Sequence, residues 1–138
     1  MTSFYMTLAH NDVSGERQEA YQLVPVAARD ANPAFWGWPG AYGAGGSGPE
    51  LSISLDDLGV PSAMRIYYFG GRDEFRFCAE QVYRGGIAAG SILEIENTGA
   101  GSYRTRVHAV GDPSFAAASA VASILVTAPS SAKRWGYA

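Results

Sequence analysis

The sequence predicts a mainly β domain with short helices, and three observations carry that prediction. Apolar and polar residues alternate with a period of two at residues 3–9, 50–55, 65–69, 74–77, 91–96 and 102–110, the signature of strands with one buried face. Seventeen Gly and seven Pro in 138 residues break the chain into many turns and short strands. Hydrophobic residues make up 47% and charged residues 17%, which suits a globular chain with a proper core rather than a disordered one. No linker or internal repeat interrupts the chain, so one domain over residues 1–138 is expected.

Residues 3–9, SFYMTLA, open with a strand, and the polar stretch 10–19, HNDVSGERQE, reads as a loop. Residues 21–26 form a second strand, with Pro25 at an edge or bulge. Residues 28–48 make a long irregular segment holding Phe35, Trp36, Trp38 and Tyr42. It fits either a hydrophobic lid over an open end of the sheet or an exposed surface on which a base or ring stacks. A strand at 50–55 follows. The stretch 65–96 organises the rest: strand, short turn over Gly70, Gly71, Arg72 and Asp73, strand, a short helix at 79–84 stopped by Gly85 and Gly86, and another strand. That last strand pairs with 102–110 as a second hairpin. Asp112 and Pro113 fit the N-cap and first position of an alanine-rich helix over 113–123. A short strand at 124–127 and a polar tail complete the expected elements.

The composition bounds the function. Cys78 is the single cysteine and His10 and His108 are the two histidines, which leaves no material for a disulfide framework or a Cys/His metal site. No metal ligands and no cofactor are expected. No basic segment with an apolar stretch opens the chain and no apolar run is long enough to span a bilayer, so the expected location is cytoplasmic, with no membrane partner. A net charge of −3 argues against a non-specific nucleic-acid coat but leaves room for a reader with a local basic patch. Nine Arg stand against one Lys, Lys133. Arg offers a planar fork for guanine edges and phosphates, although a GC-rich genome produces the same ratio.

The usual catalytic motifs are absent. Gly43–Gly48 is glycine-rich, but Pro49 and Glu50 stand where a phosphate loop needs Lys and Ser or Thr. Asp56 and Asp57 are neighbours, which suits a polar turn better than converging metal ligands. No GxSxG nucleophile elbow occurs. His108 in mid-strand reads as a hydrogen-bonded structural histidine before a catalytic base, and Cys78 as a small hydrophobe. No enzyme activity is expected of this chain.

The order of elements resembles the B-three DNA-binding pseudobarrel of plant transcription factors. Leu8, Ala9, His10, Asn11, Asp12 and Val13 sit where that family has its LT.SDV segment, and Leu23, Val24 and Pro25 where it has LVIP. Residues 64–84, then Ile87, Gly90, Ser91 and Leu93, follow its later order. The chain is similar in more detail to the C-terminal specificity domain of phospholipase-D-type (NgoFVII-like) restriction endonucleases, through Phe4, Tyr5, Met6, Leu8, Asp12, Val13, Tyr21, Pro25, Val26, Arg29 and Asn32. The likeness covers residues 3–110. It departs in lacking the HxK nuclease signature, in carrying Ser91 for the usual Asp, and in the acidic Glu16 and Glu19.

The resemblance implies a seven-stranded open pseudobarrel that binds double-stranded DNA. Two hairpin arms, residues 11–19 and 68–76, would project toward the same side and enter the major groove. Base-reading residues would come from Asn11, Asp12, Glu16, Arg17, Gln18, Tyr68, Arg72, Asp73 and Glu74. Arg suits guanine O6 and N7, the acids suit cytosine N4, and Asn or Gln suits adenine. Ser14, Gly15, Arg29, Arg76, Arg104, Arg106 and Lys133 would meet the backbone and set register. The chain would be the target-recognition domain of a restriction endonuclease, partnered by a nuclease domain or subunit. The alternative is a protein- or carbohydrate-binding β-module using the aromatic loop 35–42.

Overall fold

The computed structural model describes residues 2–13, 22–40, 51–54, 63–69, 74–78, 87–99, 102–126 and 133–138. The expected helix at 79–84, the glycine-rich 43–48, Asp56 and Asp57 lie outside them. The strands are β1 (Ser3–Thr7), β2 (Gln22–Val24), β3 (Leu51–Ser54), β4 (Ala63–Phe69), β5 (Glu74–Cys78), β6 (Ile92–Gly99), β7 (Ser102–His108), β8 (Ile124–Leu125) and β9 (Arg134–Tyr137). Helices are short: α1 (His10–Val13), α2 (Val26–Ala31), α3 (Pro33–Trp36) and α4 (Phe115–Val121).

The strands form two antiparallel sheets, of order β7-β6-β1-β9-β8 and β2-β5-β4-β3. β3 packs against β7 where the sheets meet, and the sheets do not close into a barrel. The seven strands up to His108 are those the sequence predicts, β8 falls within the short strand expected at 124–127, and the tail adds β9.

Alternation sends one face of each sheet inward. Phe4 and Met6 of β1, Leu93 and Ile95 of β6, and Tyr103 of β7 meet Val24, Ile66, Phe75 and Phe77 of the second sheet in one core. Trp36, with no exposed surface, joins them: its ring meets Phe4 edge-on at 5.2 Å and Phe75 edge-on at 5.4 Å. Such aromatic pairs add about 0.5–1.5 kcal/mol each beyond area burial.

Four expectations change here. The polar loop at 10–19 begins with the helical turn α1, and the irregular 28–48 segment begins with α2 and α3. Asn32 caps α3 by accepting from the Phe35 N–H at 3.3 Å, Pro33 follows at the first helical position, and Gly37 ends it at φ 68°. Asp112 does not cap the last helix. Its Oδ2 accepts instead from the Ala109 N–H at 3.1 Å, and Ser114 stands at the N-cap. The polar tail supplies β9, paired to β1 on one side and β8 on the other.

On the outer face of the larger sheet, Ala118 and Ala122 pack on Ile92, with Tyr5 and Phe115 at the edge. The approach is close at Gly136, where an added Cβ would lie 1.9 Å from the Val121 carbonyl oxygen.

Candidate nucleic-acid interface

The two expected arms, residues 11–19 and 68–76, fall around the connections from α1 to β2 and from β4 to β5. Asn11 lies in α1. Ser14, Gly15, Glu16, Arg17, Gln18, Arg72 and Asp73 lie outside the described residues. The roots of both arms are described, and strand pairing fixes their relation. β2 runs antiparallel to β5, with Gln22 opposite Phe77 and Val24 opposite Phe75. The first arm therefore joins the sheet at the Phe77 end of β5, and the second at Glu74. The roots sit at opposite ends of one strand, separated by three residues or about 10 Å. This corrects the expectation of two loops rooted on the same side.

A buried ionic network closes the first root. The Asp12 carboxylate is 2% exposed and accepts from the Ala9 N–H at 2.8 Å and the Leu23 N–H at 3.2 Å. Gln22 Nε2 donates to the Asp12 carbonyl at 2.9 Å. Lys133 Nζ lies 2.7 Å from Asp12 Oδ2 and donates to the Leu23 carbonyl at 2.8 Å. Asp12 and Lys133 are thus internal, not at the tip of an arm or on a phosphate-gripping surface. Their charges are consumed in tying α1, β2 and the start of β9 together.

An aromatic buttress supports the second root. Tyr68 and Phe75 face each other across β4 and β5, and Trp38 meets both edge-on, at 4.9 Å and 5.8 Å. The Arg29 guanidinium sits 3.9 Å from the Trp38 ring centroid, a cation–π contact made stronger by desolvation. Its Nε and Nη2 donate to Asp30 Oδ1 at 3.1 Å and 3.0 Å, while Nη1 is buried without a hydrogen-bond partner. Arg29, expected at the DNA backbone, is instead packed beneath Trp38, and Tyr68 is half-buried against the same ring.

Between the roots, β5 turns Glu74 and Arg76 away from the core. Arg76 Nε and Nη2 both donate to Glu74 Oε2, at 2.8 Å and 2.6 Å. Arg76 is buried too, its guanidinium held by this partner rather than presented to a phosphate. Arg104 and Arg106 are exposed on β7, opposite Glu96 and Glu94. They lie in the larger sheet, whereas the arms join β2, β4 and β5 of the other, with β3 between β7 and β4.

The outer face of the larger sheet holds a second polar cluster. Glu94 accepts from Ser3 Oγ at 2.9 Å and lies 2.7 Å from His108 Nε2, while His108 Nδ1 lies 2.8 Å from Ser114 Oγ. Burial alone would raise the Glu94 pKa, but hydrogen bonds from His108, Ser3 and Tyr5 and attraction to His108 hold it below the usual value. Burial, reinforced by the Glu94 charge, raises the pKa of Tyr5. His108 has both ring nitrogens engaged and ties α4 to β7.

The aromatic loop is not an exposed platform. Phe35 is 4% exposed and Trp36 fully buried, so the lid alternative holds for them, while Tyr42 lies outside the described residues. Sequence reasoning did not find Gln22, Leu23 or Trp38 as arm supports. Trp38 carried a signal, being grouped with the lid aromatics, but its partner Arg29 was assigned elsewhere. No helix is long and apolar enough to cross a membrane among the described residues, and no group of three or more His, Cys, Asp or Glu there is placed to hold a metal ion.

No protein-family model and no curated protein matches the chain. Among solved structures, the fold is similar to the N-terminal domain of Helicobacter pylori LlaJI.R1. The TM-score is 0.64 at 7% identity, covering 98% of this chain and 97% of that one. At that identity the likeness concerns the fold alone.

Proposed function

We propose that this chain is a DNA-recognition domain of a restriction system, reading bases in the major groove with two arms, residues 11–19 and 68–76. The observation that carries the proposal is the end-to-end fold likeness to a domain of LlaJI.R1, whose designation is that of a restriction-system protein. Arg17 and Arg72 are the guanine readers; Glu16, Asp73 and Glu74 accept from cytosine or orient those arginines; Asn11 and Gln18 read adenine. Ser14 and Gly15 contact phosphates. The net charge of −3 makes non-specific affinity weak, so selectivity comes from base edges rather than from phosphate attraction. This chain performs no cleavage, and a nuclease domain or subunit supplies it.

Selection from a randomised duplex pool followed by gel shift tests the reading. The expected result is an enriched sequence, with Arg72→Ala losing discrimination at a defined base pair. A pool that emerges unenriched would overturn it.

A further inference from the structure

We propose that Ser114 is a nucleophile activated by His108 and positioned Glu94, forming an acyl-transfer site for activated esters. The inference is independent of the DNA-reading function.

Three elements supply the three side chains: Glu94 from β6, His108 from β7 and Ser114 from the residue before α4. His108 Nε2 lies 2.7 Å from Glu94 Oε1, and His108 Nδ1 lies 2.8 Å from Ser114 Oγ. A carboxylate can only accept, so Nε2 carries the hydrogen. In the neutral ring Nδ1 then holds the lone pair, and the Ser114 hydroxyl donates to it. A hydroxyl on a base, with the base oriented by a third group, is the arrangement of an activated serine.

The base is held from several sides. Ser3 Oγ donates to Glu94 Oε2 at 2.9 Å, and the Tyr5 hydroxyl bonds to the same carboxylate. The Tyr5 ring stacks on the imidazole, with centroids 6.1 Å apart. The His108 and Glu94 side chains are 8% and 12% exposed, whereas Ser114 is exposed and open to a reagent. A capping role does not account for the serine. Ser at an N-cap ordinarily accepts from an N–H of the first helical turn, but Ser114 makes no such bond and turns to His108 instead.

In the reaction, Ser114 Oγ bonds to the ester carbonyl carbon while its proton passes to His108 Nδ1. The carbonyl re-forms, the bond to the leaving group breaks, and the leaving group takes that proton. Water, deprotonated by the same nitrogen, then releases the acyl group as a carboxylic acid. At an exposed serine the oxyanion is met by solvent, so the acceleration is that of the general base alone, about 10²–10⁴-fold. Such a site acts on esters with good leaving groups, aryl esters or thioesters.

The test reacts the full chain with an alkyl fluorophosphonate, in which Ser Oγ displaces fluoride, and reads the adducts by peptide mass spectrometry. Exposed Ser123 is the internal reference. Ser114 is expected to react at least about a hundredfold faster than Ser123. The ratio should fall close to one in His108→Gln and at least about tenfold in Glu94→Gln, which holds the ring less well in the required tautomer. Release of p-nitrophenolate from p-nitrophenyl acetate should fall to the solvent rate in Ser114→Ala. Folding of each variant is checked by circular dichroism; if His108→Gln does not fold, the wild-type ratio and Ser114→Ala carry the test.

Equal reaction at Ser114 and Ser123 in the wild type would overturn the proposal, as would unchanged p-nitrophenolate release in Ser114→Ala. A Glu94→Gln protein that unfolds more easily but keeps the wild-type ratio would overturn the positioning role of Glu94.

Discussion

The indole N–H of Trp36 donates to the hydroxyl of Tyr137 at 2.9 Å, across 101 residues of chain. The Tyr137 hydroxyl donates onward to the Ala28 carbonyl. One relay therefore ties α3, α2 and the last strand together through the core. Burial pushes the Tyr137 hydroxyl up to about 12, against a smaller opposing effect of the Trp36 hydrogen bond, so it stays a neutral donor at physiological pH. Tyr137→Phe removes the hydroxyl that accepts from the Trp36 N–H and donates to the Ala28 carbonyl. The expected cost is about 1–3 kcal/mol, read as a lower urea midpoint with an unchanged slope.

The residues on that relay also mark where the sequence was hard to interpret. Strands β1 and β3 to β7 follow from alternation, because each has one wet face and one dry face. Trp135 and Tyr137 alternate too, but over four residues, beside Gly136 and after a run of Pro, Ser and Ala. So short a strand is legible only from its partners. The turn α3 was legible: Asn32, Pro33 and Gly37 are an N-cap, a first-position proline and a C-terminal glycine in order. Its four residues were masked by the aromatic composition, which suggested a covering loop. The buried charges failed for another reason. Arg29, Arg76, Asp12 and Lys133 are residue types normally at the surface, and their partners are chosen by tertiary structure. Lys133 and Asp12 meet only because β9 inserts beside β1.

Gly136 is required by the helix that crosses it. An added Cβ at 1.9 Å from the Val121 carbonyl oxygen meets backbone, not a flexible side-chain tip. Gly136→Ala must therefore lift the end of α4 or bend β9. A loss of about 1–3 kcal/mol or more is expected, visible as a lower midpoint in thermal or urea unfolding. A variant as stable as the wild type would show that α4 does not seat on the sheet at this point.

Glu94 gives stability a defined acid dependence. Its pKa in the folded chain lies below the ordinary 4.5, so the folded state favours the carboxylate and binds fewer protons than the unfolded state. The resulting stabilisation is fully present above pH 4.5 and is lost as pH falls through the folded value. Glu94→Gln should cost about 1–3 kcal/mol at pH 7, since Ser3, Tyr5 and His108 lose a charged acceptor. The gap from wild type should narrow below pH 4.5. Urea midpoints for both proteins between pH 7 and pH 3.5 measure it, and a gap constant with pH would refute the assignment.

The two kinds of arginine should separate by their salt dependence. Arg72 is proposed to read a base, whereas Arg104 and Arg106 lie on β7 in the other sheet, opposite Glu96 and Glu94 on the neighbouring strand. A phosphate-gripping residue lowers affinity alike on all sequences when removed, and the slope of log affinity against log salt becomes shallower by about 1. A base reader loses about 1–3 kcal/mol on the selected sequence and little on others. Arg72→Ala should show the second pattern. Placed in the other sheet from the arm roots, Arg104→Ala and Arg106→Ala should leave both the slope and the discrimination close to wild type. Gel shifts of the selected duplex and a scrambled one over 50–200 mM salt distinguish the cases. A shallower slope in either β7 variant would move the DNA footprint past the arms onto β7, contrary to the arm-centred site proposed here.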